Sequence, residues 1–211
     1  MTGSRSAAAA VAAYGRDAAR YDDRTSRYGR YRRRVVDLLR LSPGDVVLDI
    51  GCGTGLCFER LVARVGPTGR VVGVDASADM LAVAAERVAA RGWGNVSLVR
   101  SPVETAALPA ADAALFCAVH DVLQSAAALD NVLGSVRAGG GVAAAGGKWA
   151  PPWAMAVNAG VLALHAPYVR SFAGFGRPWA LLAERVPALR VRDVALGGGY
   201  LAWGRTPSRR S

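Results

Sequence analysis

The sequence predicts an α/β protein on a seven-stranded, mostly parallel sheet, with helices on both faces and an antiparallel last strand. Two observations carry that expectation. Five short apolar runs alternate with helix-length segments, the order that βαβ units impose. Two further runs, Leu189 to Leu196 and Tyr200 to Gly204, flank Gly197-Gly198-Gly199, so the chain closes as a hairpin.

Each element has a local reason. Residues 1–13 are alanine-rich and low in complexity, which predicts a loose first segment. A helical cap follows over 14–41, broken near Gly29. Tyr28, Tyr31, Val35, Leu38 and Leu39 mark its buried stripe, and the arginines between them mark its polar face. Ser42-Pro43-Gly44-Asp45 is turn chemistry and leads into Val46 to Ile50, the first buried strand. A glycine loop comes next, then a helix from about Leu56 to Val65 and a second strand from Arg70 to Asp75. Ser77 is suited to cap a helix that runs to about Arg91, with Leu81, Ala84 and Val88 on one face. Val96 to Val99 and Ala113 to Val119 read as strands, Leu129 to Val136 as a helix, and Gly141 to Ala145 as the fifth strand. An apolar helix over about Pro152 to Val169 and a shorter one over Arg177 to Glu184 precede the hairpin.

Bulk properties bound the function. A chain of 211 residues holds one sizeable core, so 1–211 reads as one domain in which all ligands share a fold. Hydrophobic residues make up 52% and charged residues 20%, which excludes a disordered chain. No apolar run reaches the roughly 18 residues of a spanning helix. The alanines after Ser6 lack the bulky centre of a secretory leader, so a cytoplasmic protein is expected. Cys52, Cys57 and Cys117 suit a reducing compartment and form no CxxC pair, so no metal site is expected.

The net charge is +10, and Lys148 is the only lysine. Ten arginines stand against four aspartates within residues 1–40. Such a run is usually a solvated helix face. Weak contact with an anionic membrane surface stays open, as does an acidic substrate. A specific nucleic-acid partner is disfavoured, because no aromatic-basic stacking motif accompanies the charge.

The chemistry concentrates in Val47-Leu48-Asp49-Ile50-Gly51-Cys52-Gly53-Thr54-Gly55. Glycines at 51, 53 and 55 let the backbone turn off a strand end and approach a ligand closely. The G-x-G-x-G spacing differs from the G-x-G-x-x-G of dinucleotide dehydrogenases. Asp75 ends the next strand, where a carboxylate can accept both hydroxyls of a ribose.

These two stretches, with Met80-Leu81, resemble class I S-adenosylmethionine-dependent methyltransferases, a Rossmann-like family. The nearest flavour is the small-molecule branch that includes ubiquinone/menaquinone-biosynthesis C-methyltransferases. The resemblance covers roughly residues 20–148. It implies S-adenosyl-L-methionine as cofactor. Asp49, Gly51, Cys52, Gly53 and Gly55 would surround its methionine part, Asp75 would bind the ribose, and Ala76 and Met80 would pack on the adenine. Arg100-Ser101-Pro102-Val103-Glu104 stands where the family carries an Asp-Ala-Glu-like adenine clamp. Pro102 takes the aspartate's place, which leaves Ser101 or the Val103 amide to read the base. Tyr21, within Ala19-Arg20-Tyr21-Asp22, is the family-like lid residue.

The fourth strand ends at Cys117-Ala118-Val119-His120-Asp121, beside the methyl that would be transferred. His120 is one of two histidines, and an imidazole suits a general base at neutral pH. Asp121 is its companion candidate, with helix capping as the plainer role. Residues 150–176 read as a substrate-side insertion, where Trp153, His165, Tyr168, Phe172 and Phe175 (with Trp149 just before them) suggest an aromatic, apolar pocket. The sequence thus points to methyl transfer onto a small apolar or aromatic molecule, such as a natural product, quinone precursor or lipid amine. Two alternatives stay open: a nucleic-acid methyltransferase, and an S-adenosylmethionine-binding protein with other chemistry.

Overall fold

The structure is a computed structural model, and it describes Asp22, residues 25–166, Val169 and residues 171–208. Its sheet is formed by β1 (Val46–Ile50), β2 (Arg70–Asp75), β3 (Val96–Arg100), β4 (Ala111–Cys117), β5 (Val136–Gly147), β6 (Arg190–Val194) and β7 (Gly199–Arg205). The order across the sheet is β3-β2-β1-β4-β5-β7-β6. The pairs among β1 to β5 are all parallel, and β7 runs against both of its neighbours. The expected fold class holds. Strand order reverses between β1 and β4, and in open α/β sheets ligands bind outside the carboxyl ends at that point.

Alternating residues of β1 feed two cores. Leu48 and Ile50 face one, with Phe116, Leu129 and Leu182. Val47 faces the other, with Val35, Val36, Phe58, Leu61 and Leu81. Parallel strands need this cover on both faces. Helices α1 (Gly29–Leu38), α2 (Phe58–Val65) and α3 (Ala78–Arg91) supply the second layer. The first is covered in part by α5 (Ala126–Ser135) and α7 (Ala180–Arg185). A four-residue α4 (His120–Leu123) and α6 (Met155–His165) lie near the carboxyl ends.

Several expected boundaries shift for local reasons. Ser77 does cap α3, its hydroxyl accepting from the Met80 amide at 3.3 Å. Ser125 caps α5 in the same way, from Ala128 at 3.2 Å, so that helix starts before the apolar run at Leu129. Pro178 delays α7, because the residue before a proline avoids helical backbone. Pro151 and Pro152 form a turn instead of the first turn of α6. Strand β5 starts at Val136, earlier than Gly141, and its register against β4 shifts between Ala111 and Ala113. The break in the N-terminal cap is present: a 3-10 turn over Ser26–Tyr28 precedes α1. The expected loose segment 1–13 lies outside the described residues.

Candidate functional site

The site is assembled from three strand ends. After β1 the chain turns through Gly51, where a β-carbon would overlap the Val119 side chain. Only glycine lets this loop seat against the segment that follows β4. At the end of β2, Asp75 Oδ2 accepts from the Gly53 amide at 2.9 Å, and Oδ1 accepts from the Ser77 amide at 2.8 Å. Asp75 therefore ties the glycine loop to the start of α3. Each oxygen keeps a further lone pair for a ligand. Burial raises its pKa, and the Ser77, Gly53 and Ala76 amides pull against that rise.

These ends open on one cavity of about 860 Å³. Gly51, Gly53, Asp75, Ala76, Met80, Ser101 and Val103 line it, as do Cys117, His120 and Asp121. Among the described sequence candidates, Asp49, Cys52 and Gly55 are absent from that wall. Asp49 is 2% exposed in the floor beneath the loop, and its Oδ2 has no hydrogen-bond partner among the described residues. Burial pushes its carboxyl well above the ordinary range, Cys117 and Asp75 add to the rise, and Arg32 counters it. Cys52 turns its sulfur into the core, towards Gly73, and Gly55 faces the Phe58 ring. Cys52 and Gly55 thus shape the loop from behind. Tyr21 lies outside the described residues, as do Tyr14 and Tyr168.

Ala118 has a φ of +61°, a region that residues with a side chain seldom adopt. That bend turns the chain off β4 and places His120 on the cavity wall. His120 Nε2 lies 3.0 Å from the Ala173 carbonyl oxygen. A carbonyl can only accept, so Nε2 carries a proton. The ring's Nδ1 is buried without a hydrogen-bond partner among the described residues. The His120 ring meets Phe175 edge-on, with centroids 5.0 Å apart.

The second histidine is close by. His165 packs against the other side of the aromatic group, 5.4 Å from Phe175 and 6.3 Å from Tyr28. Burial, helped by His120, lowers its pKa to about 4, so the ring is neutral at pH 7. Its Nε2 is also buried without a partner among the described residues. Trp149 and Phe172 extend the cluster, at 5.3 and 5.0 Å from Phe175.

Sequence reasoning missed Arg32, which it placed on the polar face of the cap. The side chain lines the cavity, donating from Nη1 to the Thr25 carbonyl at 2.9 Å. The signal was available: Arg32 stands four residues from both Tyr28 and Val36, hence on their side of the helix. Asp22 was also read only as part of a lid motif. It accepts from Thr54 Oγ1 of the glycine loop at 2.6 Å and pairs with Arg87 of α3.

Residues 47–140 match the family described as a methyltransferase domain. The match covers somewhat under half of the chain. The aklanonic acid methyltransferase DauC of Streptomyces sp. (strain C5) is 40% identical over 78 residues, 37% of this chain and 36% of that protein. The demethylmenaquinone methyltransferase of Geobacillus kaustophilus (strain HTA426) is 40% identical over 73 residues, 35% of this chain and 31% of that protein. The chain thus spans about a third of the length of these relatives. An S-adenosylmethionine-dependent methyltransferase from Aquifex aeolicus shares the fold over 91% of this chain and 98% of its own, at 22% identity and a TM-score of 0.67. The cofactor implied for the methyltransferase domain is S-adenosylmethionine.

Proposed function

We propose that the protein transfers a methyl group from S-adenosylmethionine to a small apolar or aromatic molecule in the cytoplasm, one domain holding both reactants. The observation that carries this reading is a single cavity with a polar end and an aromatic end. Asp75 and the glycine loop line one end; His120, His165 and Phe175 line the other. A volume of about 860 Å³ lies within the usual range for ligand pockets.

The residues fit the cofactor. Asp75 offers two carboxylate oxygens to the ribose, Gly53 leaves open space where a side chain would intrude, and Met80 gives the adenine an apolar wall. Arg32 on the wall is matched to the carboxylate of an amino-acid tail, and the orphaned Oδ2 of Asp49 lies beneath the loop that would hold its ammonium. When bound, the cofactor would supply an electrophilic methyl to the acceptor's electron pair and keep the sulfur as leaving group. His120 stands on the wall as the candidate base, its Nε2 held by the Ala173 carbonyl; a turn of the ring that uncovers the buried Nδ1 would let it take the acceptor's proton and become an imidazolium. Asp121, beside it on the wall, favours that positive charge.

The test is incubation of the protein with deuteromethyl-labelled S-adenosylmethionine and a metabolite extract, read by mass spectrometry. The reading requires labelled small molecules that appear only with enzyme. Tight binding of NAD in calorimetry, with no response to S-adenosylhomocysteine, would sink it.

A further inference from the structure

Helix α6 lacks the polar face that a surface helix carries. Met155–His165 holds no charged residue. Its one amide, Asn158, is spent on the Ala150 backbone, accepting from its N–H at 2.8 Å and donating to its carbonyl at 3.2 Å. One side of the helix faces inward, with Val161 buried and Leu164 and His165 on the cavity wall. The other side exposes Met155 and Leu162. A helix apolar on all sides is normally buried on all sides.

The exposed apolar surface continues past the helix. Trp153, just before it, is 83% exposed, and Leu196, in the turn that packs on Val157 and Val161 through Gly198, is 86% exposed. Ala195, beside Leu196, lines the cavity, so this surface borders the site. An exposed apolar patch of this kind marks an interaction surface.

Exposed arginines stand on the neighbouring elements. The start of α1 meets the end of α6 through Tyr28 and His165, and carries exposed Arg30, Arg33 and Arg34. The loop that seats Phe175 against His165 carries exposed Arg177. Strand β6, which leads into Leu196, carries exposed Arg190 and Arg192, while its Asp193 is paired with Lys148 at 3.3 Å. An isologous contact between two copies would set these arginines against their own images. An anionic surface is their complement.

We propose that this face docks on an anionic lipid bilayer, with Trp153, Met155, Leu162 and Leu196 entering the interface and the flanking arginines meeting the headgroups. Apolar side chains below a basic rim are the chemistry of interfacial attachment. Docking stands on this surface alone. Its consequence, that an apolar acceptor enters the cavity directly from the bilayer, rests on the methyl-transfer reading.

Co-sedimentation of the full chain with vesicles tests docking without any turnover. Vesicles mixing phosphatidylcholine with phosphatidylglycerol should bind at least tenfold more tightly than phosphatidylcholine alone, and added salt should release the protein. Replacing Arg33 and Arg34 by glutamine should weaken binding by about fivefold per arginine. The double variant Trp153→Ser/Leu196→Asn should lose vesicle binding while keeping its circular dichroism spectrum and its affinity for S-adenosylhomocysteine. Unchanged vesicle binding by that folded variant overturns the proposal, as does equal or absent binding of the parent protein to both vesicles. A concentration-dependent dimer that the same variant dissolves gives the face to a second copy, which also overturns it. Vesicle binding as expected, with no labelled product from any acceptor, would leave docking in place and remove the methyl-transfer reading instead.

Discussion

Gly147 and His165 are fitted to one another: a β-carbon on the last residue of β5 would overlap Nε2 of the last residue of α6. A glycine here lets the Nε2 end of an imidazole press against the strand end at the aromatic part of the cavity. Gly147→Ala should push the ring out of place and raise the acceptor KM by tenfold or more. Affinity for S-adenosylhomocysteine should stay the same, because Asp75 and the glycine loop lie at the other end. Calorimetry and steady-state kinetics separate the two ends. A parallel loss of cofactor affinity would show that Gly147 supports the whole cavity.

His165 should also shape the acid limb of stability. Its folded pKa of about 4 lies below the 6.5 of a free imidazole, so the unfolded chain binds the extra proton first. The stabilisation is complete above pH 6.5 and is lost as the pH falls from 6.5 to about 4. His165→Phe should flatten that stretch, removing a loss of about 2–3 kcal/mol. Urea midpoints measured across this window decide it; parallel curves for the two proteins would assign the acid limb elsewhere.

Asp49 should trade stability against binding. Its carboxyl is buried and pushed well up, so ionising it costs folding free energy. Stability should fall as pH rises through its folded pKa, since the unfolded carboxyl gives up its proton earlier. Asp49→Asn should remove that slope and stabilise the protein at pH 7 by about 1–3 kcal/mol. The same variant should bind S-adenosylhomocysteine less tightly, because the carboxyl group beneath the loop no longer attracts an ammonium held above it. A variant that melts lower and binds equally well would refute both halves.

Asp75→Ala should weaken cofactor binding by about 1.5–3 kcal/mol, the range for charge-assisted hydrogen bonds. Part of that loss should come from the Gly53 amide, freed when its acceptor disappears. Asp75→Asn keeps one oxygen and should fall between. An unchanged dissociation constant in the folded alanine variant would take Asp75 out of the site.

The strands and the glycine loop were legible because buried parallel strands are short apolar runs set off by turn residues. Asp75 and His120 were legible because strand ends follow from strand positions. What side chains face was harder to read. Cys52 and Gly55 share the motif with Gly51 and Gly53, yet the turn alternates which residues line the cavity and which meet Phe58 and Gly73. Arg32 was hidden among five neighbouring arginines, where composition argued for solvent and only helical spacing argued for the cavity. The start of α6 depended on Pro151 and Pro152, whose turn forming competed with an otherwise helical run.

Lys148 follows β5 directly and is tied to Asp193 of β6 and to the Trp149 carbonyl, with 7% of its surface exposed. Since every other cationic side chain except histidine is arginine, reagents selective for side-chain amines have one address in this fold, and it is shielded. The rate at which Lys148 acquires an acyl label therefore clocks the opening of the β5–β6 corner, beside the aromatic cluster that Trp149 joins. An acceptor that settles against that cluster should slow the label, giving a chemical readout of occupancy that needs no turnover and no engineered probe.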